Sequence, residues 1–343
     1  MECIKMKKRP TIQDVANLAG VSKATVSKYL NNIPYVSPNT QKKIENAIET
    51  LQFQPNSLAR GLANKSTKLI GLVVSNYESM INMELIKSVE TEAAKHHYSV
   101  VLFSTNDDIS NERELPDVLM NKFQHLDGII LANVREEGIE LSQFNKTFKH
   151  IVLLHRHIPN SQVDYVVIDG YIGGRLAAEY LVGLGHQRIA MITGPKNIYQ
   201  FQQRVKGFKD VLKEHGLLGY CNILESGQSV EEGYEAAEKI VFKSHSPTAI
   251  FAGTDVLALG VLDAARQYGW KVPEDLSVIG FDNIYFSRFA RIPLTTIDAR
   301  IKDLGEQAVR TLLERIQGKS SEMKKIELRP TLVVRESCKR KEE

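Results

Sequence analysis

Apolar positions recur at helical spacing in two short stretches of TIQDVANLAGVSKATVSKYLN, which opens at Thr11, and a single glycine divides them. Ile12, Val15, Ala16 and Ala19 fall on one face, with Thr11 placed to cap the first free amides and Asp14 in the first turn, where the helix dipole favours an acid. Gly20 stands where a left-handed C-terminal cap is wanted, Val21 turns inward, and Ser22 caps a second helix running from Lys23 to about Leu30. A third pattern begins at Ser37-Pro38, a cap followed by proline at the first helical position. It sets Ile44, Ala47, Ile48 and Leu51 on one side, enough to close a small core.

From Leu69 the period changes. Strand-length apolar runs (LIGLVVS, SVVLFST, GIILAN, HIVLLHR) take turns with helical patterns (MELIKSVETEAAKHH, PDVLMNKFQHL). The alternation then repeats through RIAMITGP, CNILESG, AIFAGTD and SVIGFDN, with RVKGFKDVLKEHG, EEGYEAAEKIVFKS and VLALGVLDAARQYG between them. Apolar strands alternating with helices predict parallel sheets covered on both faces. The fold class expected is an all-α helix-turn-helix head followed by an α/β two-lobed body of two doubly wound parallel sheets.

Charge separates the same two parts. Residues 1–65 carry ten Lys or Arg against four acids, +6, so that −3 is left for the rest of a chain whose formal net charge is +3. A basic head on a mildly acidic body points to a polyanionic partner for the head, the plainer reading being a solvated basic surface. In 343 residues no apolar run approaches the roughly 20 needed to span a bilayer, and MECIKMKKRP lacks the apolar stretch of a secretory signal. A cytosolic protein with no membrane partner is expected. Cys3, Cys221 and Cys338 form no CxxC pair, which argues against a disulfide framework or a thiolate zinc site.

Ala16, Val21 and Val26 are small or β-branched and let the first two helices cross closely, while Lys23, Ala24, Thr25, Ser27 and Lys28 include the outward side chains of the second. This is the helix-turn-helix design, in which the second helix enters the major groove and phosphate contacts fix its register. FQPNSLARGLANKST follows from Phe53. With TIQDVANLAGVSKATVSKYLN, VSPNTQKKIENAIETLQFQPNSLARGLA and the body motifs, it makes the chain resemble the LacI/GalR family of transcription regulators from Thr11 to about Arg335.

The resemblance implies a helix-turn-helix domain over 9–54, a hinge helix and linker over 55–68, and a periplasmic-binding-protein-like effector and dimerisation domain over 69–337. Its first lobe is about 69–167 plus 297–326 and its second about 168–296 plus 327–337, with crossings near Val167, Thr296 and Ile326. It places Lys23, Ala24 and Lys28 at base edges, and Ile12, Ser22, Thr25, Asn31, Ser37, Thr40, Phe53 and Asn56 nearer phosphate or sugar. In the hinge, Ala59, Leu62 and Ala63 join the DNA-binding set, Leu62 as the minor-groove wedge. Lys28 stands where some relatives carry arginine, and a lysine lacks the planar fork that sharpens guanine reading. Each Ser or Thr has a second reading as a helix cap or solvent-facing hydroxyl.

In doubly wound sheets ligands sit beyond the carboxyl ends of the strands. The polar residues there are Ser75, Asn76, Asn133, His155, Arg156, Asp255 and Asp282. The resemblance makes Arg204 and Asp282 a polyol-binding pair and puts Asn133 and Arg156 in the cleft. An effector site of Ser75, Asn76, Asn133, Arg156, Arg204, Asp255 and Asp282 is therefore expected. Asp255 reads equally as a helix cap, Asp282 also as a strand-end turn residue, and Arg204 also as a surface ion-pair residue. Where many relatives have an aspartate before the arginine, this chain has His155. The pairing of Arg156 with Arg204 favours an acidic sugar.

Gly170, Gly173 and Gly174 miss the GxGxxG spacing, and no GxxxxGK[ST] occurs, so a nucleotide site is set aside and the glycines are read as letting a helix start pack on a sheet. His155 and His157 lack a third ligand of fixed spacing. Neither a GxSxG elbow nor a paired-carboxylate motif is present. A transport receptor has no use for a basic helix-turn-helix, and an enzyme needs a reactive group. The expected function is thus a sequence-specific regulator of transcription, a repressor of carbohydrate-metabolism genes controlled by a sugar or sugar acid between the lobes. It needs no cofactor and no metal. It acts as a homodimer on near-palindromic duplex DNA, because one recognition helix reads too few bases alone. After TLVVRE no leucine heptads follow, against a coiled-coil tetramer.

Overall fold

A computed structural model describes residues 10–30, 33–34, 36–54, 66–133, 141–156, 158–241, 246–319 and 322–341. The chain divides into two compact units, Met1–Thr67 and Lys68–Glu343.

The first unit holds three helices: α1 (Ile12–Ala19), α2 (Lys23–Leu30) and α3 (Pro38–Leu51). Each starts and stops for a local reason. The Thr11 hydroxyl accepts from the Asp14 amide at 3.3 Å while the Asp14 carboxylate accepts from the Thr11 amide at 2.7 Å, a reciprocal cap that satisfies two free donors. Gly20 ends α1 at φ 65°, a backbone that side-chain-bearing residues resist. Ser37 caps α3 and Pro38 follows at its first position. Val15, Ala16, Val26 and Ile44 are fully buried between the helices, with Ala19, Ala47 and Phe53 completing the core.

The second unit contains two six-stranded sheets. The first is built from β1 (Leu69–Val74), β2 (Ser99–Ser104), β3 (Gly128–Ala132), β4 (Ile151–Leu154), β5 (Asp164–Ile168) and β11 (Lys325–Leu328), in the order β11-β5-β4-β3-β1-β2, every pairing parallel. The second has β6 (Ile189–Thr193), β7 (Asn222–Glu225), β8 (Ala249–Ala252), β9 (Ser277–Asp282), β10 (Thr295–Asp298) and β12 (Thr331–Val333), in the order β12-β10-β9-β8-β6-β7. It is parallel except for β12, which runs antiparallel on the edge. Helices between strands cover the faces. The chain leaves the first sheet after Ile168, leaves the second after Asp298, and returns after Leu328. Each departure lies one or two residues beyond the expected crossing, since the ladders Leu328↔Ile168 and Asp298↔Asp282 continue that far.

Two helices matter for the cavity described next. α4 (Met80–Lys95) packs beside β2 and against α11 (Ile301–Ile316), and α8 (Tyr199–Glu214) packs along α7 (Gly170–Gly183). A Cβ on Gly174 would meet the Arg204 carbonyl at 2.0 Å, and one on Gly207 would meet the Tyr171 carbonyl at 2.0 Å. The glycines of the Asp169 segment thus seat one helix on another as well as on the sheet, where Gly173 lies against Phe281. That close approach fixes α8, the helix carrying Arg204. Among the described residues no helix is long and apolar enough to cross a membrane.

Candidate functional site

In the first unit, α2 turns Val26 into the core and leaves Lys23, Ala24 and Lys28 exposed, with Thr25 half-buried. Ser22 and Thr25 share a hydroxyl bond of 2.8 Å, the Ser22 oxygen also accepting the Thr25 amide at 3.1 Å. Ser37 and Thr40 repeat the arrangement at the start of α3. Ser22 and Ser37 therefore serve as caps in the protein alone, with the Thr25 and Thr40 hydroxyls bonded to them, and all four keep spare hydrogen-bonding capacity. Ile12 is half-buried against the core. The Phe53 ring is in the core, 8 % exposed, because the turn after α3 brings it back against the helices. Asn31, Asn56, Ala59, Leu62 and Ala63 lie outside the described residues.

In the second unit a cavity of about 750 Å³ is lined from both sheets. Ser75, Asn76, Asn133 and Arg156 come from the ends of β1, β3 and β4, Arg204 from α8, and Asp282 from the last position of β9. Asn133, His155 and Asp282 follow or close their strands in the left-handed region, at φ 57°, 66° and 114°. Such backbone costs of order 1–3 kcal/mol per residue and gathers at ligand sites. Asp255 is the exception to the expected set, as it does not line the cavity. It sits at the first position of α10 (Asp255–Gln267), where Thr254 is the cap. Its carboxylate accepts from Thr296 Oγ1 at 2.5 Å and from the Ile284 amide at 2.9 Å. Burial pushes it up to about 7, those donors pulling the other way. Its work is to hold β10 and the segment after β9 together.

Arg204 is 2 % exposed. Its Nη1 donates to the Gly253 carbonyl and its guanidinium lies over the Phe281 ring, 3.3 Å from the centroid, an arrangement that buries the planar cation without fully solvating it. Burial pushes the Asp282 carboxyl well above the usual carboxylate range, the Arg204 charge pulling it back, and burial lowers Arg204 against the pull of Asp282 and Asp255. Arg204 Nε and Asp282 Oδ2 are buried with no hydrogen-bond partner among the described residues. Unsatisfied buried atoms of this kind cost roughly 1–3 kcal/mol each.

On the first-sheet side, Arg156 Nη1 donates to the Asn133 carbonyl at 3.2 Å and Nη2 to Gln228 Oε1 at 3.4 Å, reaching from one lobe to the other. A second tie joins the Tyr285 amide to Glu84 Oε1 of α4 at 2.6 Å. Two residues absent from the expected set belong here. His155 lines the cavity, with Nδ1 2.7 Å from Asn133 Oδ1, and Asn82 of α4 bonds Asn133 at 2.6 Å. Asn82 had a signal in the sequence, since it shares the helical face of Leu85 and Val89, where a polar side chain must find a partner. Among the described residues no group of three or more His, Cys, Asp or Glu is placed to hold a metal ion.

Comparison with known proteins covers both units. Residues 11–56 match the family described as bacterial regulatory proteins, lacI family, and residues 178–338 match the periplasmic binding protein-like domain. The chain is 36% identical over 332 residues to an HTH-type transcriptional repressor PurR of Pasteurella multocida (strain Pm70), covering 96% of this chain and 98% of that protein. It resembles the Lac repressor dimer bound to operator and the anti-inducer ONPF, with a TM-score of 0.85 and 27% identity, covering 96% of this chain and 99% of that one. It also resembles the transcriptional regulator CelR in complex with cellobiose, with a TM-score of 0.70 and 29% identity, covering 96% of this chain and all of that one.

Proposed function

The chain belongs to the lacI family of bacterial regulatory proteins, DNA-binding regulators of transcription, and on that premise we propose that it is a repressor gated by a neutral sugar held between the lobes of its body. One observation carries the effector class. The cavity is lined by Asp282, with an unpartnered acceptor at Oδ2, and by Arg204, with an unpartnered donor at Nε, a combination that the hydroxyls of a sugar match because each hydroxyl gives and takes a bond. A sugar acid fits less well than Arg156 and Arg204 alone suggest. Four carboxylates (Glu78, Asp107, Glu232, Asp282) line the cavity against those two guanidiniums, and Arg156 is already engaged by Asn133 and Gln228. The cellobiose held by CelR supports the same class.

The head reads duplex DNA through Lys23, Ala24 and Lys28 of α2, with Ser22, Thr25, Ser37 and Thr40 at phosphates and the exposed lysines adding salt-dependent affinity. Two heads are needed, so the chain works as a homodimer. Met83 and Met120 on the first lobe, and Tyr285, Phe286 and Phe289 on the second, supply exposed apolar surface for pairing of the bodies. A sugar changes DNA affinity only through unequal affinity for two lobe arrangements, and the Arg156–Gln228 and Glu84–Tyr285 ties are the contacts such a change makes or breaks. This function needs no catalytic group, and places the protein in the cytoplasm with the DNA.

Selection of bound duplexes from a random pool, with and without cellobiose, glucose, gluconate, glucuronate and purine bases, tests the reading. A near-palindromic site whose recovery changes with a neutral sugar is expected. Recovery that responds to the acids or the bases alone would overturn the effector class, and no preferred site under any condition would overturn the whole.

A further inference from the structure

Four side chains at the first-sheet edge of the cavity form a series whose donors and acceptors are fixed in order. Asn82 Nδ2 donates to the Asn76 carbonyl at 2.8 Å and to Ser75 Oγ at 3.1 Å. A backbone carbonyl only accepts, so the Asn82 atom facing it is the amide nitrogen, and Oδ1 is what Asn82 turns to Asn133. Two amide oxygens do not approach to the 2.6 Å seen there. Asn133 therefore presents Nδ2 to Asn82 and Oδ1 to His155 Nδ1 at 2.7 Å. The imidazole nitrogen facing that oxygen carries the ring proton.

With Nδ1 protonated, a neutral ring has a bare lone pair at Nε2. The ring is held neutral. Desolvation of the half-buried ring comes first, and the charged groups acting on it, Arg156 beside it and Arg204 from α8, are both cations, so His155 is pulled down to about 3. Nε2 is buried and has no hydrogen-bond partner among the described residues. The backbone of His155, at φ 66°, is held in place by its amide bond to the Val166 carbonyl at 2.9 Å.

We propose that His155 is a specificity-determining residue of the cavity, its Nε2 accepting a hydrogen bond from a hydroxyl or N–H of the effector, and that Ser75, Asn82 and Asn133 are positioning residues that lock the ring in the tautomer required. The proposal rests on the reading of the cavity as an effector site. A hydroxyl satisfies the lone pair, whereas a carboxylate at the same place sets lone pair against lone pair and leaves the histidine buried without a partner. Discrimination built on a buried polar group of this kind is large, because the wrong ligand forfeits the bond and still pays the desolvation.

Two measurements test it. The first needs no effector: long-range proton–nitrogen correlation of the full chain labelled at histidine, with His155→Gln identifying the His155 signals. One protonated nitrogen, Nδ1, and one bare nitrogen, Nε2, are expected, unchanged between about pH 8 and about pH 5, where an ordinary histidine titrates. The opposite tautomer, or a ring that gains a proton in that range, would overturn the proposal. The second is calorimetric titration of cellobiose, glucose and glucuronate into the parent, His155→Leu, His155→Gln and Arg204→Ala. A neutral sugar that binds the parent should lose about tenfold or more affinity in His155→Leu and recover to within a few fold in His155→Gln, whose amide oxygen accepts in place of Nε2. Unchanged affinity in His155→Leu alongside lost affinity in Arg204→Ala overturns the role of His155 and leaves the effector site standing. No binding of any sugar to the parent overturns the effector reading, and this proposal with it.

Discussion

The two units solve opposite problems with polar residues. In the head, polarity faces outward: Lys23 and Lys28 are exposed, Ser22 and Ser37 cap helices with the Thr25 and Thr40 hydroxyls bonded to them, and only apolar side chains fill the core. In the body, polarity is taken inside. Arg204, Asp282 and Asn133 are buried and His155 is half-buried with its Nε2 inside, three of the four are on left-handed backbone, and several of their atoms have no partner among the described residues. A surface that meets a long polyanion needs charge and register. A pocket that selects one small molecule needs bonds that only the right ligand completes, and it holds them ready at some cost in stability.

The comparison breaks most visibly at Asp282. Asp282→Ala should leave the Arg204 charge buried without its countercharge and lower the stability of the body by about 3–5 kcal/mol, with the head's affinity for random duplex unchanged. Urea denaturation followed by Trp270 fluorescence, beside an anisotropy titration with random DNA, reads both; equal stability of variant and parent would mean that the pair is not coupled. Lys28→Ala should cost about 1–3 kcal/mol at a selected site and flatten the salt dependence by roughly one charge, with sugar binding untouched. An unchanged salt slope would place Lys28 away from DNA.

Acid acts on the body through two groups that are shifted in opposite directions. His155 sits at about 3 when folded, below its ordinary value of 6.5, so the unfolded chain takes up the extra proton between those values and the body loses stability as pH falls through that window. Asp255 is held at about 7, above its ordinary 3.8, so the folded chain carries the extra proton and the body gains stability as pH falls from about 7. Relative to the parent, His155→Gln should gain stability on acidification below about pH 6.5 and Asp255→Asn should lose it, each by at most about 1.4 kcal/mol per pH unit. Parallel curves for all three proteins would contradict both assignments. The smallest effect is expected in the head: Thr11→Ala removes the reciprocal cap of α1 and should cost about 1 kcal/mol in its thermal unfolding. No loss there would mean that Asp14 alone suffices.

The head was the more legible unit because its stops and starts are local. Thr11 with Asp14, Gly20, and Ser37 with Pro38 each act within one helical turn, so their chemistry can be read without knowing the fold. That the Phe53 ring helps close the core was not legible, because burial of an aromatic after a helix depends on where the chain turns next. In the body, strand and helix alternation was visible, but the ladder ends were not, and the crossings shifted by a residue or two. Of the cavity residues, Asp282 was legible as a strand-end polar residue and Arg204 came from resemblance alone, whereas Asp255 could not be sorted from a cap by sequence, since Thr254 and Asp255 offer the same chemistry one position apart. Asn82 was signalled as a polar residue on the apolar face of its helix, but its partners, and the role of His155, depend on a four-residue bonding order that spans three strand ends and a helix, which no spacing in the chain encodes.

Most direct is the affinity of the full chain for its selected duplex, measured by fluorescence anisotropy with and without saturating neutral sugar, in the parent and in Arg204→Ala. A shift of about 5- to 150-fold in the parent, absent from Arg204→Ala, is predicted. The same affinity in the parent with and without every sugar that occupies the cavity would contradict the account.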